Sequence, residues 1–351
     1  MGVFNEILRS DQTLIKNDDA LSYEFLPKLL PFRETEQKYL ATCIKPLFNN
    51  RSGRNLLIHG PPGIGKTAAT KHVLRDLEEE TDEIEVIFIN CWQKNTTYKV
   101  LLEICDVIGY RFTQNKKTTE LFKVISSIIN KKSAVFVFDE IDKAEELDFL
   151  YYVLEEIHRK AVFLITNYKT WMLELDERIK SRLVPELLEF KQYNLEETKQ
   201  ILKERLTYAF YDGAWKEENI KPIYDKAYEV KDIRTGLFLL RESALIAEEE
   251  SSKEIKKEHV QKALRKIDDF TIKNKDLLEE ETQLIYELVK QKSGSKIGDL
   301  YNTYKERGGN SSYKTFQRKI NKLEEAKFIS TKKQTGSGGN TTIVEKKITD
   351  F

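Results

Sequence analysis

Asn55-Leu-Leu-Ile-His59-Gly60-Pro-Pro-Gly63-Ile-Gly65-Lys66-Thr67 is the stretch that decides the fold. A short apolar run, sized for a buried strand, feeds a glycine loop matching G-x-x-x-x-G-K-[ST], and a helical stretch follows. Glycines at 60, 63 and 65 let backbone N–H groups close around a polyphosphate, while the helix start adds partial positive charge. Lys66 supplies a mobile cation and Thr67 a hydroxyl suited to Mg2+. Gly63, Ile64, Gly65, Lys66, Thr67 and Ala68 are therefore the candidate phosphate-binding residues.

Outward from this loop, apolar β-branched runs at 85–90, 134–139 and 161–167 alternate with charged amphipathic stretches. That alternation predicts a parallel sheet covered by helices on both faces. A further short strand is expected at 187–190, after which the β signal stops. Helical spacing at 195–210, 217–230, 233–250 and 256–269 predicts a small all-helical domain, with Asn194 and Asp232 as N-caps. A linker near 268–275 then leads to three short helices (282–290, 296–306, 311–325), followed by strands at 328–332 and 341–347 around a glycine-rich turn at 336–340. Three helices plus a hairpin form the pattern of a winged helix. The expected α/β architecture thus has a nucleotide-binding domain over 1–190, a helical lid over 191–272 and a winged-helix domain over 273–351.

Composition agrees with this division. The 351 residues suffice for two or three domains, and 40% hydrophobic with 33% charged residues mark a globular protein. With 58 basic and 58 acidic residues the chain is not a polycation. Residues 281–351, however, hold fourteen Lys/Arg against eight Asp/Glu, a net of +6, which leaves −6 for the rest. No apolar run approaches a membrane span, and Met1-Gly-Val-Phe-Asn-Glu6 resembles neither a signal peptide nor a myristoylation site. A cytoplasmic, nucleoid-associated protein with no membrane partner is the expectation. Cys43, Cys91 and Cys105 lack metal or disulfide spacing, so they read as reduced, buried thiols.

The run Val135-Phe-Val-Phe-Asp139-Glu140-Ile-Asp142 ends an apolar strand in adjacent acids. Asp139 there suits Mg2+ coordination, and Glu140 suits the orientation and polarisation of an attacking water. Asn167 at the next strand end offers an amide to the γ-phosphate and that water.

This order of parts resembles the AAA+ ATPases. More narrowly, Tyr23-Glu-Phe-Leu-Pro27-Lys-Leu-Leu-Pro31-Phe-Arg33-Glu34, Asn90-Cys-Trp92, Phe190-Lys-Gln-Tyr193-Asn194 and Asp232-Ile-Arg234 resemble the archaeal origin-recognition and cell-division-cycle type replication initiators. The likeness covers nearly the whole chain, winged helix included. It implies ATP/ADP and Mg2+ as cofactors, slow ATP hydrolysis, Asn167 as the sensor-1 residue and Arg234 as the sensor-2 arginine reaching in from the lid. It also implies nucleotide contacts from Tyr193 and Arg205, with Pro27 and Arg33 in a segment that wraps near the adenine. Arg182 stands where related ATPases place an arginine finger acting on a neighbouring subunit. The family's lid motif usually carries glycine where this chain has Lys231, so a different local turn is expected.

In the third unit, residues 311–325 are the candidate recognition helix, with Lys314, Arg318 and Lys322 on one face. Tyr313, Phe316, Ile320 and Leu323 are assigned to the core side. Lys332 and Lys333 suit a phosphate backbone or minor groove, and the wing lacks arginines at its tip, so weak sequence preference is expected. By resemblance a helix at 96–110 also approaches the duplex, with Lys94, Lys99 and Arg111 as phosphate partners. The expected protein is an ATP-dependent initiator that binds double-stranded origin DNA, assembles there as a homo- or hetero-oligomer, and recruits or loads the replicative helicase. Two alternatives keep the ATPase but change the partner: a helicase loader or transposition helper, and a nucleotide-switch signalling ATPase without DNA readout.

Overall fold

In a computed structural model of the chain, residues 13–276, 280–325, 329–336 and 339–346 are described. The glycine loop leaves the end of β1 (Leu56–His59) and enters α2 (Lys66–Glu80), as the sequence requires. Around β1 lie β2 (Ile84–Asn90), β3 (Ser133–Asp139), β4 (Lys160–Thr166) and β5 (Glu186–Glu189), all parallel, in the order β2-β3-β4-β1-β5. Every residue of β3 is buried, the pattern of a central strand covered on both faces, whereas the edge strand β5 alternates.

One face packs Leu57, Ile87, Phe136 and Phe138 against α3 (Thr97–Val107), α4 (Thr118–Ile129) and α5 (Asp148–Glu156). The other packs Leu56, Ile58, Val135 and Phe163 against α1 (Glu34–Ile44) and α2. A short helix, α6 (Glu177–Leu183), precedes β5.

The lid comprises α7 (Leu195–Ala209), α8 (Glu217–Val230), α9 (Ile233–Glu249) and α10 (Lys257–Asp276). Asn194 caps α7 in a reciprocal capping box with Glu197, and Asp232 caps α9 through the Arg234 N–H.

Two expectations are corrected at the edges of the lid. The stretch 268–275, read as a linker, is the last part of α10, because nothing in it breaks a helix. And the first described residues, assigned to the nucleotide-binding domain, belong to the lid: Leu14, Ala20 and Leu21 are buried with Leu202, Leu239 and Ala244 in its core. Glu248 Oε1 accepts the Leu14 N–H at 2.6 Å, the Lys16 and Asn17 N–H groups donate to Ala209 O, and Asp18 pairs with Arg241 at 2.6 Å. This strap returns to the first domain near Lys28, whose carbonyl meets His72 Nε2 of α2 at 2.8 Å.

The third unit has α11 (Glu280–Gln291), α12 (Ile297–Glu306) and α13 (Tyr313–Glu325), with an antiparallel sheet of β6 (Ser295–Lys296), β8 (Gly339–Lys346) and β7 (Ile329–Gly336) in that order. The two-residue strand β6 was not anticipated, being too short to show periodicity. The centre of the expected glycine-rich turn and the ends of both expected strands, at 328 and 347, lie outside the described residues. No helix among the described residues is long and apolar enough to cross a membrane.

Candidate nucleotide site and nucleic-acid face

The strand order brings three separate sequence signals to one edge of the sheet. Because β4 lies between β1 and β3, with His59 opposite Thr166, Asn167 emerges beside the glycine loop. Lys66 Nζ donates to Gly60 O at 2.6 Å, Pro61 O at 2.7 Å and Asn167 Oδ1 at 2.9 Å. Across the same edge, Thr67 Oγ1 donates to Asp139 Oδ2 at 2.9 Å, and Asp139 Oδ1 accepts the Glu140 N–H at 3.0 Å. Asp142, quoted from the sequence but given no role there, accepts the Thr166 hydroxyl at 3.0 Å and so ties the acidic loop to the strand end carrying Asn167.

Burial sets the electrostatics. Lys66 is 7% exposed, and desolvation pushes its ammonium down to about 8 against the attraction of Asp139. Asp139 is 3% exposed; burial raises its carboxyl, opposed by hydrogen bonds from Thr67 and Glu140 and by the Lys66 charge. Glu140 is raised by burial and then by the negative charges of Asp139 and Asp142, and its backbone is left-handed at φ 52°.

The loop fits an anion. The N–H groups of Gly63 and Gly65 have no acceptor among the described residues, and the Lys66 cation stands over the loop. Gly63 and Gly65 have φ of 74° and 86°, and a Cβ at either would collide with the lid side. At Gly63 it would stand 2.1 Å from Asp232 Oδ1, and at Gly65 2.9 Å from the Tyr193 hydroxyl. Thr67 and Asp139, already adjacent, are the oxygens suited to a hard cation.

Other candidates fall in less expected places. Arg33 is 4% exposed and donates to Ile64 O, Lys191 O and Tyr193 Oη, with its guanidinium over the Tyr193 ring at 4.0 Å. Pro27 is buried near the crossing of the strap from lid to first domain. Arg205 donates to Ala20 O at 3.2 Å and Phe25 O at 3.0 Å, and so holds the strap on the lid. Arg234, expected to reach in from the lid, is exposed, and its charge acts on Lys66 and Glu140. Lys231 adopts φ 60°, the left-handed conformation that a glycine takes without a Cβ penalty. Between the loop and the lid remains a crevice of about 10 Å³ lined by Ile64, Tyr193, Thr198, Tyr228, Asp232 and Ile233, too small for a purine. Arg182 is exposed at the end of α6, ion-paired with Glu155 and lying over the Tyr151 ring at 4.9 Å.

In the third unit Lys314, Arg318 and Lys322 are exposed on α13, while Phe316, Ile320 and Leu323 are fully buried. Tyr313 is corrected from core to rim: it is 39% exposed and meets Tyr301 edge-on at 5.0 Å. Lys319, absent from the sequence assignment, is buried and donates to Glu281 Oε2 at 2.7 Å. Lys332 and Lys333 are paired with Ile343 and Thr342 in the hairpin. On the first domain, Val100, Leu101 and Ile104 of α3 are core, Lys94 pairs with Glu103 at 2.7 Å and Lys99 donates to Asn95 Oδ1.

Two family models match the chain: an AAA domain over residues 50–170 and a Cdc6 AAA+ ATPase-type lid domain over 199–265. The ORC1-type DNA replication protein 1 of Archaeoglobus fulgidus is 32% identical over 325 residues, covering 87% of this chain and 79% of the relative. The ORC1-type DNA replication protein 2 of Methanothermobacter thermautotrophicus is 28% identical over 359 residues, covering 97% of this chain and 93% of the relative. Among solved structures, the Aeropyrum pernix ORC1 protein in complex with DNA has the same fold, with a TM-score of 0.70 at 24% identity over 96% of this chain and 94% of that one.

Proposed function

The chain belongs to the ORC1-type DNA replication proteins and is an AAA+ ATPase, and on that premise we propose that it binds duplex origin DNA and uses nucleotide as the switch for origin remodelling and for recruiting or loading the replicative helicase. The observation that carries the switch is the seating of Asp232 and Tyr193 directly against the loop glycines, so that whatever occupies the loop bears on the lid. The base requires more room than the present crevice, and the lid must swing away to admit it.

Within the site, Lys66 exchanges Gly60 O and Pro61 O for phosphate oxygens, and Asn167, released from Lys66, turns its amide to the γ-phosphate and the water. Thr67 and Asp139 would hold Mg2+, which neutralises charge on the phosphates. Glu140, with its proton affinity raised by burial and neighbouring acids, positions the water and accepts its proton. Arg234 stabilises the γ-phosphate from the lid, and Arg182 serves a neighbouring subunit once freed from Glu155.

Lys314, Arg318 and Lys322 meet the major groove while Lys332 and Lys333 follow the backbone. Fluorescence anisotropy with a labelled origin duplex tests this reading. Wild-type affinity falls steeply as salt rises, and Arg318→Ala weakens binding and lowers the salt slope by about one unit without altering ATP affinity. Equal duplex affinity in the variant and wild type refutes the assignment of the α13 face.

A further inference from the structure

Arg33 has all three of its guanidinium nitrogens engaged within the protein. Its guanidinium is buried and its donors are divided among three chain segments. Nε and Nη2 donate to Ile64 O of the phosphate loop at 3.1 and 3.0 Å. Nη2 also donates to Lys191 O at 2.7 Å, and Nε to Tyr193 Oη at 3.0 Å, both in the connection from β5 to α7. Nη1 pairs with Glu36 Oε1 at 3.0 Å on α1. Its central carbon also lies over the Tyr193 ring at 4.0 Å and the Phe190 ring at 5.1 Å.

We infer that Arg33 is a positioning residue that locks the phosphate loop to the hinge of the lid, so that the two move as one body. This rests on the nucleotide reading of the loop given above. The first domain and the lid are joined by two strands of chain, the 26–33 segment and the 190–194 connection, and Arg33 holds the end of one against the start of the other. When the loop N–H groups close on a phosphate, Ile64 O moves with the loop and therefore drags the charge-assisted hydrogen bonds that Arg33 makes to Lys191 O and Tyr193 Oη. Because α7 begins two residues after Tyr193, the direction of the first lid helix follows. Gly65 completes the arrangement: only without a Cβ does the loop approach the same Tyr193 hydroxyl. A lysine in place of Arg33 supplies one point charge without the planar fork, and cannot serve the four acceptors together.

The test is a titration of the full-length protein, as wild type, Arg33→Lys, Tyr193→Phe and the double variant, with MgATP, MgGTP and inorganic tripolyphosphate, alongside thermal melting. A positioning role predicts that Arg33→Lys weakens all three ligands by the same factor, about ten- to a hundredfold. Tyr193→Phe, which keeps the ring but removes one acceptor, produces a smaller uniform loss of about three- to tenfold, and the double variant loses no more than Arg33→Lys alone. A loss confined to the nucleotides, with tripolyphosphate unaffected, shows that Arg33 touches the base and overturns the inference. Unchanged affinity for all three ligands in both variants overturns it equally. Should Arg33→Lys fail to fold, Tyr193→Phe decides by the same pattern: a uniform loss supports the inference, and a selective or absent loss refutes it. Failure of the wild type to bind any of the three would instead refute the nucleotide reading on which this rests.

Discussion

Placing a single methyl group on the phosphate loop measures how firmly the lid is seated. At Gly63 the backbone is left-handed, φ 74°, so Gly63→Ala carries strain of about 1–2 kcal/mol before any contact is considered. The new Cβ would stand 2.1 Å from Asp232 Oδ1, and Asp232 would have to retreat by more than about 1 Å to restore an ordinary contact. That retreat breaks the cap that Asp232 Oδ1 makes with the Arg234 N–H at 2.9 Å, a further loss of about 1 kcal/mol. Gly63→Ala should therefore destabilise the nucleotide-free protein by about 2–3 kcal/mol, whereas in an Asp232→Ala background only the backbone strain of about 1–2 kcal/mol remains. Urea unfolding of the four proteins, followed by far-UV ellipticity, gives the coupling directly, with an expected value of about 1 kcal/mol. Strictly additive effects would mean that Asp232 and the loop do not touch, and the proposed route from phosphate to lid would fail with them.

Three further outcomes are expected. Glu140→Gln should bind ATP normally but lower turnover by about a hundredfold or more, read by phosphate release; normal hydrolysis would remove Glu140 from the water-orienting role. Lys231→Gly should raise the melting temperature of the lid, by up to about 1 kcal/mol of stability, because glycine occupies φ 60° without the Cβ penalty that lysine carries. A drop would reveal a stabilising contact of the Lys231 side chain. Glu281 accepts hydrogen bonds from Lys319, Ser311 and Tyr304, the Lys319 ammonium foremost, which holds its carboxyl down at about 2. A depressed acid stabilises the fold above its unfolded pKa of about 4.3 and loses that contribution as pH falls toward 2. With the side chain 32% exposed, screening trims the effect to about 1–2 kcal/mol, so Glu281→Gln should destabilise the third unit at pH 7 and converge on wild type near pH 2 in denaturant melts.

Glu281 also shows where sequence reading stops. Its partner Lys319 falls between Arg318 and Ile320 on a helix whose other lysines are exposed, and nothing local distinguishes it from them. Only the packing of α11 against α13 turns it inward. Tyr313 failed in the opposite sense: its position on the apolar face was read correctly, but it lies at the start of α13, where the core ends and an aromatic ring meets solvent. The supposed linker at 268–275 has no helix breaker, and the strap at 13–25 has no periodicity of its own, so neither assignment had a local signal to correct it.

The parts whose chemistry is local were legible from sequence alone: the glycine loop, the acids that end β3, the amide that ends β4 and the N-caps of α7 and α9 each follow from residue type and spacing. Tertiary structure decided which of these parts meet. The insertion of β4 between β3 and β1 sets Asn167 on Lys66, the lid brings Asp232 and Tyr193 onto the loop glycines, and Arg33 is buried with hydrogen bonds to both loop and hinge. Periodicity and turn chemistry act over a few residues, whereas strand order and lid seating come from apolar faces burying one another across more than a hundred positions of chain, where spacing along the sequence carries no distance in space.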